Sequence, residues 1–155
     1  MKSYSLRNKK VLLISVKTFN YEVEIVNKLK ELGAVVDYFD ERPSNSILTK
    51  AIIRAKRSFF QKKINNYYRK ILKKIESNQY DYFFLIKGEV IPHFFLEKLK
   101  FLQNNCTFIF YTWDSFENNP NALSILIFFD RKLTFDPQDA KDYKLDFRPL
   151  FFIDR

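Results

Sequence analysis

Tyr82-Phe83-Phe84-Leu85-Ile86-Lys87-Gly88-Glu89, residues 82–89, joins five apolar or aromatic residues directly to a charged, glycine-containing tripeptide. An unbroken apolar run of that length reads as a strand buried on both faces, and the polar tripeptide as the turn that leaves it. Downstream, Pro92 suits the first turn of a helix carrying Phe95, Leu96, Leu99 and Leu102, which Asn104-Asn105 closes. Residues 107–112 then read as a further strand, ending at Trp113-Asp114-Ser115. Upstream lies a long helical stretch from about residue 47 to 76, which Asn45 or Ser46 can cap. Its apolar stripe changes register near Phe60-Gln61, which predicts two helices or a bend.

The pattern repeats towards both ends. Residues 11–15 form a buried first strand, and Asn20 is placed to cap a helix bearing Tyr21, Ile25, Leu29 and Leu32. Gly33 stops that helix in a left-handed conformation before a second strand at 34–39. Beyond a polar loop at 116–120, a short apolar helix spans 122–129 and a strand 133–135. A helical turn at 137–143, with Asp136 as its cap, leads to an extended segment at 146–152. Strand alternating with helix predicts an α/β fold, a Rossmann-like doubly wound and mostly parallel sheet of about five to six strands. One such domain is expected over residues 10–153, after a loose segment at 1–9.

Composition narrows the function. Hydrophobic residues make up 46% of the 155, including 18 Phe and 9 Tyr, so the core should be largely aromatic. The single cysteine, Cys106, and an N-terminal apolar run too short for a signal or a membrane span point to a cytoplasmic protein. The formal charge is +9 and uneven. Eleven basic residues and no acidic one lie between Arg42 and Lys74, so the whole positive excess falls there.

In sheets of this kind ligands bind beyond the carboxyl ends of the strands. Only two glycines, Gly33 and Gly88, occur in the chain, so neither a dinucleotide fingerprint nor a P-loop is present. A phosphate-receiver domain needs acidic residues after strand one and an Asp after strand three, where this chain has Val16-Lys17 and Lys87. One His and one Cys cannot build a zinc site, and no metal ligands are expected. There remain polar residues at strand ends: Lys17 and Asn20, Asp40 and Arg42, Lys87 and Glu89, Asp114 and Ser115, Asp136 and Arg148. These fit a grip on hydroxyl-rich or phosphorylated ligands.

Five segments carry a resemblance. They are Phe19-x-Tyr21-Glu22-x-Glu24-Ile25, Tyr38-Phe39-Asp40-Glu41-Arg42-Pro43-x-Asn45, Ile86-Lys87-Gly88-Glu89, Tyr111-x-Trp113-Asp114-Ser115, and the stretch from Phe135-Asp136-Pro137 to Phe147-Arg148-Pro149-Leu150. Over residues 10–152 the chain resembles the N-terminal half of bacterial lipopolysaccharide or capsular polysaccharide biosynthesis proteins related to CgeB-like GT-B glycosyltransferases. The resemblance implies the acceptor-side domain of an enzyme that moves a sugar from a nucleotide-sugar donor to a glycan or lipid-linked glycan. It implies no bound cofactor, and a C-terminal donor-binding domain not contained in this chain, without which catalysis would be incomplete. Asp114, or else Glu89, would be the catalytic base. Lys17, Asn20, Tyr21, Arg42, Lys87, Gly88, Trp113, Ser115, Asp136 and Arg148 would bind ligand.

Each residue also has a plainer reading. Asp114 can cap the following turn, Trp113 can pack at the strand end, and Gly88 can relieve backbone strain. Arg42 and Arg148 can form internal ion pairs with Asp40 or Asp136. The basic stretch can be a solvated helix face. Its functional alternative is a non-catalytic binding module that uses residues 42–75 against a protein partner or an anionic membrane, at the inner face of the membrane. Nucleic-acid binding is disfavoured, because Phe59, Phe60, Tyr67 and Tyr68 fall on the apolar stripes.

Overall fold

β1 (Lys10–Ser15) runs through the middle of the molecule, with Leu12, Leu13 and Ile14 wholly excluded from solvent. A strand with no polar side chain between its ends has no face to offer water, so it must be covered on both sides. The computed structural model describes residues 5–44 and 47–150, the side chains of 47–59 excepted. Around β1 the chain lays down β2 (Val35–Asp40), β3 (Tyr82–Ile86), β4 (Thr107–Thr112), β5 (Arg131–Thr134) and β6 (Asp146–Phe147). All five pairings are parallel, in the order β2-β1-β3-β4-β5-β6. This is a Rossmann-like doubly wound α/β fold. The chain reverses direction across the sheet between β1 and β3, which opens a crevice at their carboxyl ends.

The helices are α1 (Tyr21–Glu31), α2 (Ile47–Ile75), α3 (His93–Leu102), α4 (Pro120–Ser124) and α5 (Pro137–Asp142). The larger core gathers Ile64, Tyr68 and Ile71 of α2 and Phe95, Leu96 and Leu99 of α3 against Leu12, Ile14, Phe83, Leu85, Phe108 and Phe110. The smaller core, on the other face, sets Ile25, Val26 and Leu29 of α1 against Leu13, Ile86 and Tyr111. The aromatic content fills the larger core with edge-on ring pairs: Tyr68–Phe95 at 4.9 Å and Phe83–Phe108 at 5.0 Å between centroids. That geometry sets the positive edge of one ring on the negative face of the next.

Four local expectations change. α2 is one continuous helix of 29 residues, not two. It contains no Pro or Gly to break the hydrogen-bond ladder, so a drift of the apolar stripe is absorbed without a bend. Asn20 sits at the start of α1 in a left-handed conformation (φ 63°), and its side chain makes no capping hydrogen bond. The buried carboxylate of Glu22 instead accepts from the Thr18 amide at 3.2 Å. The segment expected to be loose is tethered over residues 5–9: the Leu6 amide donates to the Leu32 carbonyl at 2.7 Å, and Lys9 pairs with Asp81 at 2.7 Å. The 122–129 helix is divided into α4 and a short 3-10 turn at Leu126–Phe128. The proposed caps Asn45 and Ser46, the Leu48–Phe59 part of the α2 stripe and the end of the last extended segment lie outside the described residues.

Gly33 behaves as read. With φ 96° it follows α1, its amide donates to the Lys30 carbonyl at 2.9 Å, and the Ala34 amide donates to the Leu29 carbonyl at 3.0 Å. Those two bonds satisfy carbonyls that the helix leaves open. Among the described residues no helix is long and apolar enough to cross a membrane.

Candidate functional site

A parallel sheet delivers every carboxyl end to one rim, so the residues following β1 to β5 share an edge of the molecule although they are far apart in sequence. β3 and β4 are direct neighbours, with Ile86 opposite Tyr111. Lys87-Gly88-Glu89 and Trp113-Asp114-Ser115 therefore converge. The Lys87 ammonium lies 3.4 Å from Asp114 Oδ2, with the two side chains 13% and 29% exposed. Asp114 thus keeps a partly open carboxylate beside a fixed cation. Its backbone is pinned by Thr112, whose Oγ1 donates to the Asp114 carbonyl at 2.7 Å and accepts from the Asp114 amide at 3.1 Å.

Trp113, which directly precedes Asp114, lines a pocket of about 230 Å³ together with Thr18, Phe19, Tyr21 and Leu150. Tyr21 and Trp113 meet edge to face at 6.4 Å, and Phe19 and Tyr21 meet at 6.0 Å. Phe19 is 78% exposed and adopts φ 51°, which is costly for a non-glycine residue. An aromatic surface held open to water beside a carboxylate can stack on a sugar ring while the carboxylate takes a hydroxyl.

The backbone beneath the pair is also constrained. Lys87 and Gly88 both have positive φ, 87° and 69°. Two asparagines at the start of α4 hold these carbonyls: Asn119 donates to Lys87 O at 2.8 Å and Asn121 to Gly88 O at 2.9 Å. Gly88 is not a place of ligand approach, contrary to expectation. A Cβ there would stand 2.8 Å from Ile125 Cδ1 and 2.9 Å from Phe110 Cε2, so the space is already filled by the core.

Arg42 and Glu89 are likewise spent on each other. Arg42 Nε donates to Glu89 Oε2 at 2.8 Å, its Nη2 closes on the same oxygen, and the side chains are 4% and 13% exposed. Neither a ligand-binding arginine nor a general base is left by that arrangement. The plainer reading of Arg42 named Asp40 or Asp136 as its partner; the sheet order brings Glu89 instead. Beside the pair, Glu41 is fully buried. Its Oε1 accepts from the Val90 and Ile91 amides at 2.7 and 3.3 Å, while its Oε2 has no hydrogen-bond partner among the described residues. Burial, with the nearby Glu89 charge, pushes its pKa up to about 7, against the pull of the two amides and Arg42. From α2, Tyr67 and Tyr68 donate to the carbonyls of Asp40 and Glu41 at 2.6 and 2.9 Å, holding the end of β2 in place.

The remaining expected ligand residues do not join the site. Asp136 caps α5, accepting from the Gln138 and Asp139 amides at 2.7 and 3.0 Å. The Ser115 hydroxyl and carbonyl accept from Asn118 and Asn119 amides, which builds a turn. Arg148 lines a hollow over the sheet face with Phe84, Ile109, Tyr111 and Leu133, instead of the pocket at Trp113. Lys17 and Asn20 are exposed at the rim, and Lys17 makes no ion pair among the described residues. His93 bonds Ser124 at 3.1 Å on the surface. Cys106 is buried, and burial pushes its thiol up to about 12, which leaves it inert. Glu41, Asn119 and Asn121 escaped the sequence reading. Asn118, Asn119 and Pro120 read only as part of the polar loop at 116–120, and Asn121 falls between that loop and the next helix.

Among the described residues no three His, Cys, Asp or Glu side chains gather as a metal site. No family model matches the chain, and no curated protein matches it. Two solved structures are similar to it, both from Burkholderia pseudomallei. One is a response regulator protein with a phosphorylated aspartic acid, calcium ion and citrate, at 12% identity and TM-score 0.46; the match covers 87% of this chain, which spans 64% of the length of that one. The other is described as pilus assembly-related, at 12% identity and TM-score 0.41, covering 93% of this chain and 89% of that one. At such identity and fit neither likeness assigns a function.

Proposed function

We propose that this domain binds a carbohydrate acceptor and forms the acceptor-side half of a glycosyltransferase-like protein, with Asp114 as the base that takes the acceptor's hydroxyl proton. The reading rests on one juxtaposition: the Lys87–Asp114 pair on the rim next to the aromatic pocket of Phe19, Tyr21 and Trp113. Lys87 serves Asp114 by orienting its carboxylate from 3.4 Å. Glu89, the other candidate base, is committed to Arg42. A nucleotide-sugar donor is the co-substrate that the resemblance to polysaccharide biosynthesis proteins implies, and a second domain would be needed to hold it.

Trp113 is the sole tryptophan, so its fluorescence reports on this pocket alone. Titration with a panel of hexoses, aminohexoses and short surface-glycan fragments should shift its emission, saturably, for at least one of them. Asp114→Asn and Tyr21→Ala should weaken that response by tenfold or more with the fold intact by circular dichroism. A panel that leaves Trp113 unmoved, or an Asp114→Asn variant that binds as the parent does, refutes the assignment.

A further inference from the structure

α2 carries its charge without balance. α1 shows the usual arrangement: Glu22 and Glu24 in its first turn, Lys28 and Lys30 in its last, and a Lys28–Glu31 pair at 3.0 Å. Each of these relieves a neighbour or the helix dipole. α2 has no acidic residue in its first turn or anywhere along its length. Lys73 and Lys74 occupy its last turn, where the dipole favours cations, so they are explained by the helix itself. Arg69 stacks over Phe94 at 5.4 Å and donates to Asn66 Oδ1 at 3.1 Å, so its guanidinium is already engaged.

Lys62 and Lys70 have no such account, and Lys63 has only a 5.5 Å approach of its ammonium to the Phe60 ring centroid. None of the three forms an ion pair among the described residues. With Pro43, Asn66 and Tyr67 they line a concavity of about 520 Å³ at the β2 end of the rim. Lys62, Asn66 and Lys70 recur at four-residue spacing, so they share one side of the helix over about 12 Å of its axis. The back of the concavity is rigid. Tyr67 is fixed by its 2.6 Å hydrogen bond to the Asp40 carbonyl, and Pro43 has a locked φ. Three lysines lining one hollow with no carboxylate among its lining residues concentrate positive charge there, which a multivalent anion would offset.

We propose that this groove is a binding site for a phosphate-bearing ligand, with Lys62, Lys63 and Lys70 contacting the phosphate oxygens and Asn66 offering a neutral polar contact. The 12 Å run of the lining suits a diphosphate or a phosphate ester better than a single small anion. Such a group comes either from a soluble phosphorylated molecule or from an anionic lipid headgroup, and the chemistry of recognition is the same. The site lies on α2 and the loop after β2, so it stands or falls independently of the carbohydrate pocket at Trp113.

The test uses the whole chain, inorganic pyrophosphate by calorimetry, and co-sedimentation with vesicles of phosphatidylcholine containing phosphatidylglycerol. Two variants are compared: Lys62→Gln, Lys63→Gln, Lys70→Gln together, and a control, Lys28→Gln, Lys30→Gln, Lys141→Gln, which removes equal charge elsewhere. The parent and control should bind pyrophosphate, and the groove variant should bind it at least tenfold more weakly. If vesicle binding is lost in the same variant alone, the ligand is a headgroup; if no form binds vesicles, it is a soluble phosphate compound. Absence of pyrophosphate binding by the parent, or equal losses in the two variants, overturns the proposal, since the charge then acts only in bulk. Trp113 emission under sugar titration, unchanged in the groove variant, keeps this result separate from the carbohydrate reading.

Discussion

Two ion pairs stand side by side on the rim, and they have opposite characters. Arg42 and Glu89 are almost wholly enclosed, share a single carboxylate oxygen, and have Glu41 packed beside them. Lys87 and Asp114 touch at 3.4 Å, with Asp114 29% exposed and its chain neighbour Trp113 lining an open aromatic pocket. A buried pair is costly to assemble and costlier to halve, because the survivor is left as an uncompensated charge. A partly exposed pair contributes little to stability, so its geometry is at liberty to serve a ligand. Burial therefore separates structural charge from available charge at positions that look alike in sequence.

The largest expected effect tests the enclosed pair. Arg42→Ala should lower the unfolding free energy by about 3–5 kcal/mol, read from urea melts. A loss below about 1 kcal/mol would erase the contrast. Next is Glu41. Its folded pKa, about 7, is above its ordinary value of 4.5, so the folded state holds the proton more tightly. The stability it contributes is full below about pH 4.5 and is lost as pH rises through about 7, by roughly 3 kcal/mol over that window. Glu41→Gln should flatten that part of the stability–pH curve relative to the parent; parallel curves would show that Glu41 is not the titrating group.

Gly88 stands between the two pairs. Gly88→Ala combines a positive φ with contacts below 3.0 Å to Ile125 and Phe110, and should cost about 2–3 kcal/mol. A neutral outcome would mean that the backbone joining the pairs can shift. The smallest effect belongs to the open pair: Asp114→Asn should change stability by less than about 1 kcal/mol while abolishing the sugar response of Trp113. Strong destabilisation would move Asp114 into the structural class with Glu89.

Much of the architecture is legible in the chain. The runs at β1, β3 and β4 contain too little polar surface to face water, and alternation with helices makes them parallel. The rim follows, and with it the convergence of Lys87 and Asp114. The Gly33 helix stop and the Asp136 cap are also readable, because each depends on residues no more than four positions away. Continuity of α2 is readable in principle from its lack of Pro and Gly, and the apolar stripe misleads. The Asn20 cap fails because Asn20 adopts a left-handed conformation, φ 63°, where a capping side chain needs an extended one.

Local physics sets which residues form strands and helices, because those preferences act over a turn or two of chain. Which charges meet is another matter. Arg42 and Glu89 are 47 positions apart, and the parallel order of β2, β1 and β3 alone brings them together. The same packing leaves Asp114 half open and fills the space over Gly88. Desolvation is a property of the packed whole, so tertiary structure decided which of the rim's polar residues are fastened and which remain free to act.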